Sequence, residues 1–153
     1  MKILKWIVLL AGLVLFAISF KLPAIQEVAK PGATPNTITG YNCAVLSLVQ
    51  PWGKEGLTLL HSDPVNYFSV LVSGWINPVF LAALLVLLIR PASRINWVFR
   101  VMMPLMFICC WIVFYKIHFS AYTGYYAWMC GVLLVLFSDL LVRRQPAGKM
   151  AGA

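Results

Sequence analysis

Four stretches of this chain are so long and so apolar that water is excluded as their solvent. A helix needs about 20 mostly apolar residues to cross a bilayer, because lipid offers no partner to an unpaired backbone N–H or C=O. The first stretch covers about 3–20 and is interrupted only by Lys5. The second covers 65–89 and is densest over 79–89; the third covers 95–119, with Arg100 near its start. The fourth covers 122–142, with Asp139 near its end. Composition points the same way: 62% of the residues are hydrophobic and 10% charged, where a soluble domain carries roughly 25% charged residues. A soluble fold of 153 residues could not hide that much apolar surface. The sequence therefore predicts an all-α integral membrane protein, a single domain over 1–153 with four transmembrane helices in a compact bundle.

The basic residues set the orientation. Lys2 and Lys5 precede the first stretch, Arg90, Arg94 and Arg100 surround the turn between the second and third, and Arg143, Arg144 and Lys149 follow the fourth. These eight lie on one side; Lys21, Lys30, Lys54 and Lys116 lie on the other, with Glu27, Glu55 and Asp63. The bias predicts that both termini are cytoplasmic and that the protein is a multi-pass component of the inner (plasma) membrane. The formal charge of +8 is thus mostly topology. It forms no basic patch with aromatics of the kind that binds nucleic acid, so lipid is the expected partner and nucleic acid is not. The Ala17-Ile18-Ser19 stretch resembles a signal-peptide cleavage site. The apolar run before it is long for a signal, and the segment is read as a retained span.

Residues 21–64 form a 44-residue extracytoplasmic loop holding five of the nine prolines and four of the ten glycines. Two apolar patches, 43–49 and 56–60, flank a turn-like stretch containing Trp52. Both are too short to make a core of their own. A hairpin and a pair of short helices lying on the headgroup layer both suit them, and the helices are favoured.

Within the second stretch, Asn66, Ser69, Ser73 and Asn77 recur at spacings of 3, 4 and 4, which puts all four on one helical face. Pro78 follows, where a kink is expected. The stripe reads either as a polar groove open to the outside or as interhelical hydrogen bonding worth about 0.6–2 kcal/mol per contact; packing is the preferred reading. Gly124, Ala127 and Gly131 form a small-residue stripe on the fourth stretch that admits a close helix neighbour. The polar face of the second stretch is the expected neighbour. Asp139 is an intramembrane carboxylate, which suggests proton handling, but Arg143 lies one turn on and an ion pair is preferred.

Other residues point less far. Cys43 is alone in the loop, Cys109 and Cys110 are adjacent in the third stretch, and Cys130 lies in the fourth; no pair has the spacing of a redox centre. His61 and His118, with Asp63 or Glu55, allow a zinc site to be drawn that no spacing demands. Tyr115, Tyr122, Tyr125, Tyr126 and Trp128 suit an interfacial aromatic belt better than a ligand-stacking cage. There is no phosphate-cradling glycine loop, no His-Glu-x-x-His and no Gly-x-Ser-x-Gly. No catalytic residue, cofactor or metal is assigned, and the chain is not expected to be an enzyme.

In its general plan of four spans, short length, cytoplasmic termini and little ionisable chemistry, the chain resembles the small inner-membrane immunity proteins that protect bacteria from membrane-targeting toxins. The resemblance is architectural and transfers no residue role. It implies a non-catalytic polytopic protein, of immunity or accessory-subunit type, that binds a protein partner or a second copy through its loop and helix faces. The alternative is a small oligomeric channel or transporter for ions or small solutes, built on the polar face of the second helix.

Overall fold

The computed structural model describes residues 2–27, 36–91 and 93–143. In chain order these form α1 (Lys2–Ser19), β1 (Pro23–Glu27), β2 (Thr37–Thr39) and α2 (Gly40–Val49). A 3₁₀ turn at Gln50–Trp52 leads into α3 (Lys54–Ser62). Then come α4 (Pro64–Ile89), α5 (Ile95–Ile117), β3 (Phe119–Ala121) and α6 (Thr123–Arg143). Two helices, over Pro64–Ile89 and Ile95–Lys116, are long and apolar enough to cross a membrane; Ile3–Ser19 and Thr123–Ser138 are shorter apolar segments.

The long helices pack in two main pairs, α1 along α6 and α4 along α5, and α6 also touches α4 and α5. Ile76 and Phe80 of α4, Met103 of α5, and Val132 and Val135 of α6 are completely buried where the pairs meet. Phe16 of α1 stacks on Phe80 with ring centroids 4.6 Å apart. Both α4 and α5 run on through a proline, Pro78 and Pro104, as unbroken helices.

The α1–α6 contact depends on glycine. A methyl group placed on Gly131 would stand 2.7 Å from the Phe16 amide nitrogen and 2.8 Å from the Gly12 carbonyl oxygen. One on Gly12 would stand 2.9 Å from the Gly131 carbonyl oxygen. The two backbones meet with no room for a Cβ on either. Gly124, higher on the same helix, sits under Leu22 and Pro23, where β1 begins. The small-residue stripe therefore does not face the polar side of α4, as its sequence suggested. Glycine leaves room for main chain, and the main chain that needs room is that of α1 and its continuation. The neighbour α6 offers to α4 is a large side chain, Trp128.

Three short strands, which the sequence did not suggest, form an antiparallel sheet in the order β2-β1-β3. Ile25 pairs with Ile38 and with Ala121, so β1 joins the loop to the α5–α6 connection. Helix α5 ends at Ile117, two residues before the expected end of the third span. His118 adopts a left-handed conformation (φ 55) that caps α5 and turns the chain into β3. The two apolar patches of the loop are helical, in α2 and α3. Helix α2 starts against the end of α1, where the Gly40 amide donates to the Leu22 carbonyl (3.0 Å) and the Tyr41 amide to the Phe20 carbonyl (2.9 Å). It crosses α4 at Gly74, where a Cβ would collide with the Ser47 carbonyl. Asp63 caps α4, its Oδ1 accepting from the Asn66 amide at 3.2 Å, with Pro64 in the first turn.

Alanine at position 131 gains up to about 1 kcal/mol of helix propensity but places its methyl inside contact distance of backbone atoms that cannot rotate away. Gly131→Ala is expected to lower stability by about 1–3 kcal/mol net. Gly53→Ala, whose new methyl would meet its nearest atom at 3.6 Å, is expected to change it little. Thermal unfolding of the purified protein in lipid nanodiscs measures both.

Candidate functional site

Between α4, α5 and α6, beneath the sheet and α2, lies a cavity of about 340 Å³. Its walls carry Asn66, Val70 and Ser73 from α4, Cys110 and Phe114 from α5, and Tyr125 from α6. Ile25 and Ile38 of the sheet and Cys43 and Ser47 of α2 close it above. At its far end the Trp128 indole N–H donates to Asn77 Oδ1 at 2.9 Å. Beyond that bond come the buried Ile76, Phe80 and Val132.

The polar stripe of α4 divides by role. The Ser69 hydroxyl donates to the Val65 carbonyl and the Ser73 hydroxyl to the Val70 carbonyl, both at 2.8 Å. Each serine thus returns its proton to its own helix, as serines in helices commonly do. Asn77 is held by Trp128. Asn66 is buried, 8% exposed, and its Oδ1 has no hydrogen-bond partner. Asn66, Ser73 and Asn77 line the cavity, whereas Ser69 does not.

Tyr125 was grouped by sequence with an aromatic belt, and the structure separates it. Tyr115, Tyr122 and Tyr126 are exposed, while Tyr125 is 4% exposed. It packs edge-on against Phe114 (4.9 Å) and Trp111 (5.6 Å), with Trp128 at 5.5 Å. Among the described residues its hydroxyl has no nitrogen or oxygen partner; the group that meets it is the Cys110 thiol, a weak hydrogen-bonding partner. The available signal was helical period: Tyr125 precedes Val132 by one heptad and shares its inward face. Cys43 and Cys110, far apart in sequence, line the same cavity as free thiols. Burial pushes the Cys43 thiol above its ordinary pKa, which keeps it protonated.

Gly124 also touches the cavity, while Gly131 is packed against α1 and Ala127 between them is half-buried. Asp139 and Arg143 fall on the described backbone of α6, but their side chains lie outside the described residues. Arg100 is buried, its Nε donating to the Leu136 carbonyl at 2.9 Å and its guanidinium lying over the rings of Trp97 and Phe137. Among the described residues no three His, Cys, Asp or Glu side chains gather as a metal site. Comparison with known proteins adds no relative: no family model, curated protein or solved structure matches the chain.

An ion pair ties the start of α4 to the end of α5, Lys116 Nζ standing 2.8 Å from Asp63 Oδ2. The hydrogen bond from Lys116, helped by the Asn66 amide, holds the Asp63 carboxyl below its ordinary pKa. A carboxyl lowered in the folded state contributes stability that is full above the unfolded value of about 3.9 and is lost as pH falls through the lowered one. Between pH 7 and pH 3 the melting temperature of the wild type is therefore expected to fall more steeply than that of Asp63→Asn. Melting curves in nanodiscs across that range measure the difference.

Proposed function

We propose that this is a multi-pass protein of the inner membrane that acts by binding and performs no catalysis. In this reading α1, α4, α5 and α6 all span the bilayer, with both termini cytoplasmic. The sheet, α2 and α3 form an extracytoplasmic cap over the binding site. The observation that carries the binding function is the capped apolar cavity, whose wall holds the Asn66 amide oxygen, unpartnered among the described residues, and the Tyr125 hydroxyl, met only by the Cys110 thiol. Natural interiors pair their buried polar groups, so an acceptor without a donor in such a cavity supports a site completed by something else.

The outer surface supports the membrane placement. Of the most apolar window of α4 only 28% is buried, and of that of α5 33%, so the apolar side chains mostly face outward. Leu81 and Leu85 of α4, Leu105 and Ile108 of α5, and Ile7 and Leu10 of α1 are all exposed. Such faces are stable against acyl chains and costly in water. Helix α2, fastened to the end of α1, exposes Tyr41, Val45, Leu46 and Val49, with Trp52 just beyond. That composition suits the headgroup layer. A protein partner of immunity or accessory-subunit type would approach the cap from outside. Permeation is less well supported, because the polar stripe stops at the Asn77–Trp128 bond and buried apolar residues follow it.

Two measurements test the reading. In a cysteine-free background, Thr37→Cys is expected to react with a membrane-impermeant maleimide on intact cells, and Arg94→Cys only after permeabilisation; the reverse pattern overturns the topology. In native mass spectrometry from nanodiscs, the protein is expected to carry a small-molecule adduct that Val70→Trp, which fills the cavity, lacks while still inserting. Equal adducts on both proteins would refute the binding site.

A further inference from the structure

We infer that the cavity takes an uncharged amphiphile led by a hydroxyl group, whose oxygen bridges Asn66 and Tyr125. The inference rests on the binding reading above and names the chemical class of the occupant.

The polar inventory of the cavity is nearly closed by its own contacts. Ser73 bonds its own helix and Asn77 is engaged by Trp128. Gln50, also on the wall, is exposed. Of the buried groups there remain Asn66 Oδ1, which has no partner among the described residues, and the Tyr125 hydroxyl, met only by the weakly bonding Cys110 thiol, on residues 8% and 4% exposed. An amide oxygen only accepts, so the occupant has to bring a proton to Asn66. A phenol donates, so the same occupant can take a proton from Tyr125. One hydroxyl oxygen does both at once. A ketone or ester brings no proton to Asn66 Oδ1, and a quaternary ammonium can neither donate to that oxygen nor accept from Tyr125.

Charge narrows the class further. Among the described residues no Lys, Arg, His, Asp or Glu lines the cavity, so a carboxylate, phosphate or ammonium head would meet no counter-charge from them, which is strongly unfavourable in an apolar site. The remaining walls, including Val70, Ile25, Ile38, Val113 and Phe114, suit an alkyl or isoprenoid body. At about 340 Å³ the cavity is at the small end of small-molecule sites, which run from about 300 to 1,000 Å³. A whole diacyl phospholipid is therefore excluded by size as well as by charge, and a single-chain alcohol fits both limits.

The test uses 1-decanol as probe, with decane and decanoate at equal membrane mole fraction as controls, on the full-length protein in nanodiscs. Cys110, left as the single thiol by Cys43→Ala, Cys109→Ala and Cys130→Ala, reports occupancy through its rate of alkylation by N-ethylmaleimide. Decanol is expected to slow alkylation at least tenfold more than either control. Asn66→Leu and Tyr125→Phe are each expected to abolish the advantage of decanol over decane. Asn66→Leu is also expected to leave the melting temperature of the ligand-free protein unchanged or raised, because it removes a buried acceptor that has no donor. Equal protection by decanol and decane, or no protection because the cavity holds only water, overturns the inference. So does a ligand-free Asn66→Leu protein that melts well below the wild type, since Asn66 would then have a structural partner. If the adduct and topology results above hold while decanol fails, the binding site stands and only the hydroxyl-led amphiphile is lost.

Discussion

Main chain meets main chain where Gly12 and Gly131 pass each other, and the outer half of the molecule is suspended from that crossing. Helix α1 leads directly into β1, and β3 leads directly into α6. Once the two helices lie at backbone contact, the strands that extend them are already side by side and antiparallel. Ile25 pairs with Ala121, and the Tyr122 amide donates to the Ala24 carbonyl at 2.8 Å. Strand β1 then recruits β2, and β2 delivers α2 to the end of α1. Close approach at two glycines thus positions Ile25, Ile38 and Cys43 over the cavity without any of them touching α6 at the crossing itself.

How each polar group of the cavity is satisfied decides what the cavity can do. Serine hydroxyls on α4 are consumed locally, because a helix always offers a carbonyl one turn back. An asparagine Oδ1 only accepts, so a carbonyl cannot satisfy it and it must look outward for a donor. Asn77 Oδ1 finds an indole N–H; Asn66 Oδ1 finds no donor among the described residues. Tyr125, locked among Phe114, Trp111 and Trp128, has no freedom to turn its hydroxyl towards solvent. The aromatic cluster thereby holds a polar atom in place at a site where burial alone would disfavour it.

At the opposite end of the bundle the one described buried cation is managed differently. Arg100 lies between Trp97 and Phe137, with the Leu136 carbonyl accepting from its Nε. Delocalised charge over two ring faces and a carbonyl is a low-cost way to keep a guanidinium out of water. On the other side Asp63 and Lys116 meet as an ion pair.

Local periodicity made the long helices legible, and the 3-4-4 spacing alone puts Asn66, Ser69, Ser73 and Asn77 on one face. Those properties are encoded within a few turns of chain, where the helical repeat alone sets which side chains are neighbours. The sheet was not legible. Strands of three to five residues carry too few positions for alternation to register, and their hydrogen bonds join 23–27 to 37–39 and 119–121. Nor could the sequence say that Gly124 and Gly131 serve α1 and its continuation, since a small stripe announces close approach without naming the partner. The candidate site is of the same kind. Asn66 with Tyr125, and Cys43 with Cys110, are brought together by helix packing across long separations. Each side chain's face was set by local sequence, but its partner, and for Asn66 Oδ1 the lack of one among the described residues, was decided only when the helices packed.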